Sequence, residues 1–105
     1  MYIIYFYVPT THVEIVKNAM FEKGAGQIGN YSCCAWQILG EGQFMPLAGS
    51  DAYIGSEGKL EKVAEYKVEM ICLQDKLSGV ITALKATHPY EEPAYQVLRL
   101  DNHIE

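Results

Sequence analysis

The chain has 105 residues, of which 50% are hydrophobic and 20% are charged, and its formal net charge is -5 at pH 7. This length accommodates one hydrophobic core, and the composition is typical of a globular domain rather than a disordered segment. The acidic balance argues against nucleic acid and anionic membranes as partners, and no apolar run is long enough to cross a bilayer.

The N-terminus and the cysteines predict a reduced, cytoplasmic protein. Residues 1–8 lack the positively charged region and the small-residue cleavage site of a signal peptide. Cys33 and Cys34 are adjacent, so the three cysteines give neither a disulfide framework nor C-x-x-C spacing. We therefore expect buried, small apolar thiols rather than redox or zinc chemistry.

The first half of the chain predicts strand, helix and strand. Residues 2–8 are aromatic and β-branched on both faces, which is typical of a strand that is covered on both sides, with a second subunit as one cover. A helix over residues 11–23 follows, with Thr11 as N-cap and Glu14 completing a capping box. A second strand is predicted over residues 32–39.

The middle of the chain is rich in glycine. Residues 24–29 match G-x-G-x-x-G, but they follow a helix instead of a strand, so a helix cap and a turn are favoured over a dinucleotide site. Residues 40–58 show little periodicity and predict an inserted loop or small hairpin, of the kind that serves as a lid or a subunit contact. Residues 59–63 are compatible with one helical turn.

The second half repeats the order of strand, helix and strand. Five apolar residues alternate with three charged ones, which predicts a long strand: Ala64, Tyr66, Val68, Met70 and Cys72 with Glu65, Lys67 and Glu69. A helix that begins at Gln74 or Asp75 follows, and residues 95–100 form the last strand. With right-handed crossovers, this order gives an α+β, ferredoxin-like β-α-β-β-α-β sandwich with a four-stranded antiparallel sheet, two helices on one face and the glycine-rich insert between the middle strands.

The connection between the second helix and the last strand is the candidate site. Pro89 ends the helix and forces His88 into an extended conformation, and Pro93 stiffens the approach to the strand. Such a link holds its polar side chains in fixed directions. The predicted binding or interface residues are His88, Pro89, Tyr90, Glu91, Glu92, Pro93 and Tyr95 of the link, with Tyr5 and Tyr7 of the first strand.

A metal site is the alternative use of this link. His88, Glu91 and Glu92 could bind a divalent cation such as zinc or copper, with His12 or His103 as a further ligand. No second motif with ligand spacing supports them, so solvated carboxylates and a histidine at a helix end are favoured. No cofactor is predicted beyond this cation.

Catalysis and RNA binding find little support in the residues. The cysteines lie in strand patterns, and no base is identifiable beside a serine. Tyr5, Phe6 and Tyr7 could stack on bases, but the first strand has no Lys or Arg. The aromatic side chains therefore predict a core or an interface, and an enzyme is not favoured.

Three stretches resemble the insert domain of the YqfO-type, or Nif-three-like, family. They are residues 24–31 (GAGQIGNY), residues 58–61 (GKLE) and residues 83–95 (ALKATHPYEEPAY), and the likeness covers nearly the whole chain. The resemblance implies a stand-alone insert domain. Larger members carry a dinuclear metal site in a flanking core that this chain lacks, so it implies no hydrolase or cyclohydrolase activity here.

The shorter pattern HPYE-x-P, residues 88–93, also resembles the CutA divalent-cation-tolerance family. That family and the PII signalling proteins form trimers of ferredoxin-like protomers, which implies self-association. The chain departs from CutA by Glu92 before Pro93 and by Ala94 where a glutamate commonly follows, and both changes weaken a metal role.

The sequence therefore predicts a non-catalytic, self-associating cytoplasmic domain that acts as a ligand-sensing, regulatory or protein-interaction module. The homo-oligomer would be a trimer or a dimer, and a separate protein, such as a YqfO-type core that completes a split enzyme, is a second kind of partner. The alternative is a divalent-cation-binding protein that resembles CutA.

Overall fold

The computed structural model describes residues 1–101 as four strands and two helices. In chain order these are β1 (Tyr2–Pro9), α1 (Val13–Glu22), β2 (Trp36–Phe44), β3 (Glu61–Cys72), α2 (Gln74–Thr87) and β4 (Tyr95–Arg99). The strands form one antiparallel sheet in the order β2-β3-β1-β4. This arrangement confirms the predicted ferredoxin-like α+β fold.

Alternate side chains of β1 determine which side of the sheet the helices cover. Ile4, Phe6 and Val8 are completely buried in one cluster with the apolar stripes of the two helices. Because successive side chains of a strand point to opposite faces, Tyr5 and Tyr7 project from the other side. The buried helix residues of this core are Val13, Val16 and Met20 of α1 and Val80 and Leu84 of α2.

The pairing register places rows of residues on the side of the sheet opposite the helices, which we call the open face. Tyr5 of β1 pairs with Glu69 of β3, which pairs with Trp36 of β2. The next row contains Tyr7, Lys67 and Ile38, and the row on the other side contains Ile71, Ile3 and Leu98. Paired residues of antiparallel strands share a face, so these rows form one surface.

The prediction for β2 was wrong in its position. The strand extends from Trp36 to Phe44 instead of covering residues 32–39, so residues 40–44 of the predicted insert belong to the sheet. Pairing with β3 along this length holds Gly40 and Gly42 in extended conformation despite their low strand preference. Residues 45–60 form neither helix nor strand, and β3 begins at Glu61, so the predicted helical turn over residues 59–63 is wrong.

The predicted capping box of α1 was also wrong. The helix begins at Val13 with His12 as N-cap, and no side chain caps it. The Thr11 hydroxyl lies 2.8 Å from Nδ1 of His12, and Glu14 forms an ion pair with Lys17 at 2.9 Å. Both groups of the expected box therefore have other partners.

The glycine loop after α1 is a cap and a turn, as predicted. Gly24 adopts a φ of 106°, which ends the helix in a conformation that favours glycine. The amide of Gly26 donates to the Ile71 carbonyl at 2.8 Å, and its carbonyl accepts from the Cys34 amide at 2.8 Å. The first bond attaches the loop to β3, and the second attaches it to the segment that precedes β2.

The cysteines differ from one another in burial. Cys72 is buried, as predicted, but Cys33 is exposed and Cys34 is partly exposed, because both precede the displaced β2. Neither of the two described helices is long and apolar enough to span a membrane.

A pair of glycine substitutions tests the attachment of the loop. Gly26 has a φ of 76°, and a Cβ there would lie 2.7 Å from the Cys34 carbonyl oxygen and 2.8 Å from the Phe21 ring. We expect Gly26→Ala to lower the free energy of unfolding by about 1–3 kcal/mol. Urea denaturation of the purified chain measures the change.

The matched control is Gly79→Ala in α2. A Cβ at Gly79 meets no atom within 4 Å, and alanine is the better helix former there. This variant should be up to about 1 kcal/mol more stable than the unmodified chain. Equal effects of the two substitutions would contradict the role assigned to Gly26.

Candidate functional site

The link from residue 88 to residue 94 begins where α2 ends. His88 donates its amide to the Leu84 carbonyl at 3.0 Å, but its ψ of 135° is extended, as the following Pro89 requires. Tyr7 of β1 then binds both ends of the link. Its carbonyl contacts the His88 ring, and its amide donates to the Ala94 carbonyl at 3.2 Å. The link is therefore attached to β1 at its first and last residues.

The His88 ring is buried, and both of its nitrogens are engaged. Nε2 donates to the Tyr7 carbonyl at 2.7 Å, while Nδ1 accepts the amide of Tyr90 at 3.1 Å. This pattern needs a neutral imidazole with its proton on Nε2. Burial lowers the pKa of His88 below its usual 6.5, against the opposing effects of the Tyr7 hydrogen bond and the Glu65 charge.

Tyr90 connects the link to the middle of the sheet. Its hydroxyl donates to Oε2 of Glu65 at 2.6 Å, and Glu65 on β3 is only 9% exposed. Burial first, and then the hydrogen bond to Glu65 and the charge of Glu65, raise the pKa of Tyr90 well above its ordinary value. The proton therefore stays on the phenol, which donates it to the carboxylate of Glu65.

Gly42 makes room for this carboxylate. A Cβ built at Gly42 would overlap the carboxylate of Glu65. Gly40 of the same strand pairs directly with Glu65. The two glycines that suggested a loop in the sequence thus leave space in β2 for a buried acidic side chain.

Aromatic rings gather around Tyr90. The centroid of Phe44 lies 5.8 Å from that of Tyr90, and the His88 ring lies 4.9 Å away. Tyr53 of the loop over residues 45–60 approaches Tyr90 at 6.3 Å and contacts His12 at 5.8 Å. These separations lie within the range of favourable ring contacts.

The loop over residues 45–60 is held above the link. The amide of Asp51 donates to Oε1 of Glu91 at 3.0 Å, and the amide of Gly58 donates to the Pro46 carbonyl at 2.9 Å. Between the loop, the link and the open face lies a cavity of about 250 Å³, which we call the tyrosine cavity. It is lined by Tyr7, Gln43, Phe44, Pro46, Ser50, Ala52, Ile54, Glu65, Tyr90, Glu91, Glu92 and Ala94.

The structure brings some of the predicted site residues together and separates others. The lining of the tyrosine cavity includes four of them, Tyr7, Tyr90, Glu91 and Glu92. His88 is not part of the lining, but its ring accepts the amide of Tyr90. The remaining predicted residues lie outside the lining. Tyr95 packs beside the core near Lys85, and Tyr5 lies on the open face, 4.6 Å from the Lys67 ammonium.

The predicted metal ligands do not converge. Among residues 1–101, no group of three or more His, Cys, Asp and Glu side chains is arranged to hold a metal ion. His88 uses both ring nitrogens inside the fold, and His12 contacts Thr11 and Tyr53. His103 lies outside the described residues.

Sequence reasoning missed the buried carboxylate. Glu65 belongs to the polar side of the alternating pattern of β3, and such a side typically faces water. Phe44 and Tyr53 were likewise assigned to an insert without a defined role. The one available signal was the pair of glycines in an edge strand, which marks a close approach by another group.

Curated proteins with the name GTP cyclohydrolase 1 type 2 homolog match most of this chain. The Mycobacterium leprae protein is 48% identical over 94 residues, which are 90% of this chain and 24% of that protein. The Halalkalibacterium halodurans protein is 42% identical over 102 residues, 97% of this chain and 27% of that protein. The chain thus spans about a quarter of the length of these relatives. No protein-family model matches it.

Two kinds of solved structure also match this chain. A Bacillus cereus protein related to NIF3 matches with a TM-score of 0.83 and 42% identity, over 96% of this chain and 26% of that one. The periplasmic divalent cation tolerance protein CutA of Archaeoglobus fulgidus gives a TM-score of 0.69 at 20% identity, over 100% of this chain and 89% of its own. The first match confirms the predicted resemblance to the Nif-three-like family, and the second confirms the fold alone.

The hydrogen bond between Tyr90 and Glu65 should stabilise the fold measurably. Tyr90→Phe removes the donor and leaves a buried carboxylate oxygen unpaired, so we expect the free energy of unfolding to fall by about 1–3 kcal/mol. Tyr53→Phe is the control, since the described residues offer the Tyr53 hydroxyl no partner, and its effect should stay within about 0.5 kcal/mol. Urea denaturation at pH 7 distinguishes the two variants.

The buried imidazole predicts a loss of stability in acid. The folded chain holds the pKa of His88 below 6.5, so below that pH the unfolded chain binds a proton that the folded chain does not. The free energy of unfolding should therefore fall as the pH drops from 7 to 5, with a contribution of up to about 1.4 kcal/mol per pH unit.

Other groups can add to the pH dependence of the fold, so the contribution of His88 is measured as a difference. The pH dependence of His88→Gln should be shallower than that of the unmodified chain, even if this variant is less stable throughout. The control His12→Gln should follow the unmodified chain more closely, since the charge of His12 is the smallest of the effects on the pKa of His88. Parallel curves for the unmodified chain and His88→Gln would refute the assignment.

Proposed function

From the resemblance of this chain to the insert domain of the YqfO-type, Nif-three-like proteins, we propose that it is a non-catalytic, self-associating binding module. In this proposal the open face of the sheet is covered by a second copy of the chain. The observation that carries it is a group of large apolar side chains exposed on that face. Trp36 is 59% exposed, Ile38 is 53% exposed and Leu98 is 49% exposed.

The exposed side chains form one surface together with partly buried neighbours. Trp36 and Tyr5 share a row across the sheet, as do Leu98 and Ile3. Single exposed apolar residues are common on monomers, but adjacent rows with an exposed tryptophan are typical of contact surfaces. Tryptophan and tyrosine are also enriched at the centres of protein interfaces.

Charge supports a second copy as the occupant. The chain is acidic overall, so two copies repel unless they meet through a surface without net charge. In the middle of the open face, the Lys67 ammonium lies 3.5 Å from the Glu69 carboxylate and 4.6 Å from the centre of the Tyr5 ring. Lysine and glutamate cancel each other there, which makes this face suitable for identical chains.

The described side chains support a binding role better than a catalytic one. His88 has no free nitrogen to act as a base. Burial raises the pKa of the Cys72 thiol, and the charge of Asp75 adds to this effect, so the reactive thiolate is disfavoured. The relatives named for this activity are about four times as long as this chain. We do not propose the activity for the present chain, which matches about a quarter of their length.

A charge placed on the open face should separate the copies. The unmodified chain is expected to elute as an oligomer, with a light-scattering mass two or three times that of one chain. Trp36→Glu and Ile38→Glu should each yield a folded monomer, because an unpaired carboxylate would be buried at the contact. Size-exclusion chromatography with light scattering measures the mass, and circular dichroism checks the fold.

The control is Ile15→Glu on α1, at a side chain that is equally exposed but lies on the helix side of the sheet. This variant should remain an oligomer.

Runs with EDTA and with added zinc test the alternative of a cation-binding protein, for which the mass or thermal stability would rise with stoichiometric metal. An unmodified chain that is monomeric at every concentration would refute self-association and favour a different protein as the occupant.

A further inference from the structure

We infer that the tyrosine cavity binds a small organic cation, that is, a protonated or methylated amine attached to a flat apolar group. The inference rests on the proposed role of the chain as a binding module, but it does not depend on self-association. It uses the acidic and aromatic parts of the cavity lining together with the size of the cavity.

The charged side chains that line the cavity are all acidic. They are Glu65, Glu91 and Glu92, and no lysine, arginine or histidine is among the lining residues of the described chain. Oε2 of Glu65 accepts the Tyr90 hydroxyl, whereas Oε1 has no hydrogen-bond donor among the described residues. A ligand with an ammonium group would supply the missing charge and donor.

The carboxylate of Glu65 is held in place by its surroundings. Glu65 is nine-tenths buried, so the attraction of its carboxylate for a cation is screened less by salt than that of the exposed Glu91 and Glu92. The raised pKa of Tyr90 keeps the shared proton on the phenol. A buried carboxylate without a cation is costly, and a cationic ligand would offset that cost.

Aromatic side chains form the other part of the lining. Tyr7, Phe44 and Tyr90 all contribute, and Phe44 and Tyr90 lie 5.8 Å apart at an angle of 56°. Aromatic faces attract ammonium groups, and several rings around one space are a known solution for methylated amines. The same faces can pack against a flat apolar group.

Other classes of ligand fit less well. An inorganic cation needs several converging oxygen or nitrogen ligands, and residues 1–101 offer no such group. An anion would meet three carboxylates. A volume of about 250 Å³ is below the roughly 300–1,000 Å³ of drug-sized pockets, so the ligand would be about the size of an amino acid.

Three probes with the same ring but different charge test the inference. They are benzyltrimethylammonium, benzyl alcohol and benzoate, each titrated into the full chain at constant ionic strength while backbone amide shifts are recorded by NMR. We expect the cation to bind at least about tenfold more tightly than the alcohol. Shifts should centre on residues 7, 44 and 90–94.

A pair of variants locates the charge that is responsible. Glu65→Gln keeps the size of the side chain and should weaken binding of benzyltrimethylammonium about tenfold. Glu22→Gln removes the same charge on α1, on the helix side of the sheet and outside the cavity lining, so the affinity for the cation should be unchanged. If Glu65→Gln does not fold, Ala52→Leu fills the cavity from the loop and should abolish binding.

The outcomes separate this inference from the proposed function. Equal affinity for cation and alcohol, tighter binding of benzoate, or full affinity in a folded Glu65→Gln variant would overturn the inference. Saturable cation binding by a chain that light scattering shows to be monomeric would support it and refute self-association. An intact oligomer that binds none of the probes would overturn the inference and support self-association.

Discussion

One buried imidazole connects the parts of this fold that carry its candidate site. His88 ends a helix, donates to a carbonyl of the first strand and accepts an amide from the link that follows. Only the neutral ring with its proton on Nε2 can make both bonds. The same strand residue, Tyr7, also donates its amide to the carbonyl of Ala94 at the far end of the link. A seven-residue connection is thus attached at both ends, and Tyr90 between them is held in one direction over the sheet.

The two sides of the sheet follow from a single alternation in the first strand. Its buried side chains assemble the core with both helices, while its tyrosines face outward. The outward side is divided into two regions. Near the link, the loop over residues 45–60 and the aromatic rings enclose a cavity with acidic side chains in its lining. Farther along, Trp36 and Ile38 remain exposed beside a lysine and a glutamate that neutralise each other.

Local patterns were sufficient to predict the order of elements and the position of the link. The alternation of residues 64–72, the stop at Pro89 and the glycine after the first helix all act within a few neighbours along the chain. The position of β2 was not predictable in this way, because its glycines are strand residues only through long pairing with β3. Glu65 was missed for the same reason. Its partner Tyr90 is 25 residues away, and nothing near Glu65 in sequence marks it as buried.

The overlap between a side chain at Gly42 and the Glu65 carboxylate has a consequence for how this domain can diverge. Positions 42, 65 and 90 are coupled, because the first supplies the space, the second fills it with a carboxylate and the third donates the hydrogen bond that holds the carboxylate. A lineage that acquires a larger residue at position 42 must shorten or displace the acid, and its tyrosine then loses its acceptor. Substitutions at these three positions should therefore appear together among relatives, as concerted exchanges that preserve or dismantle the acidic site as a unit.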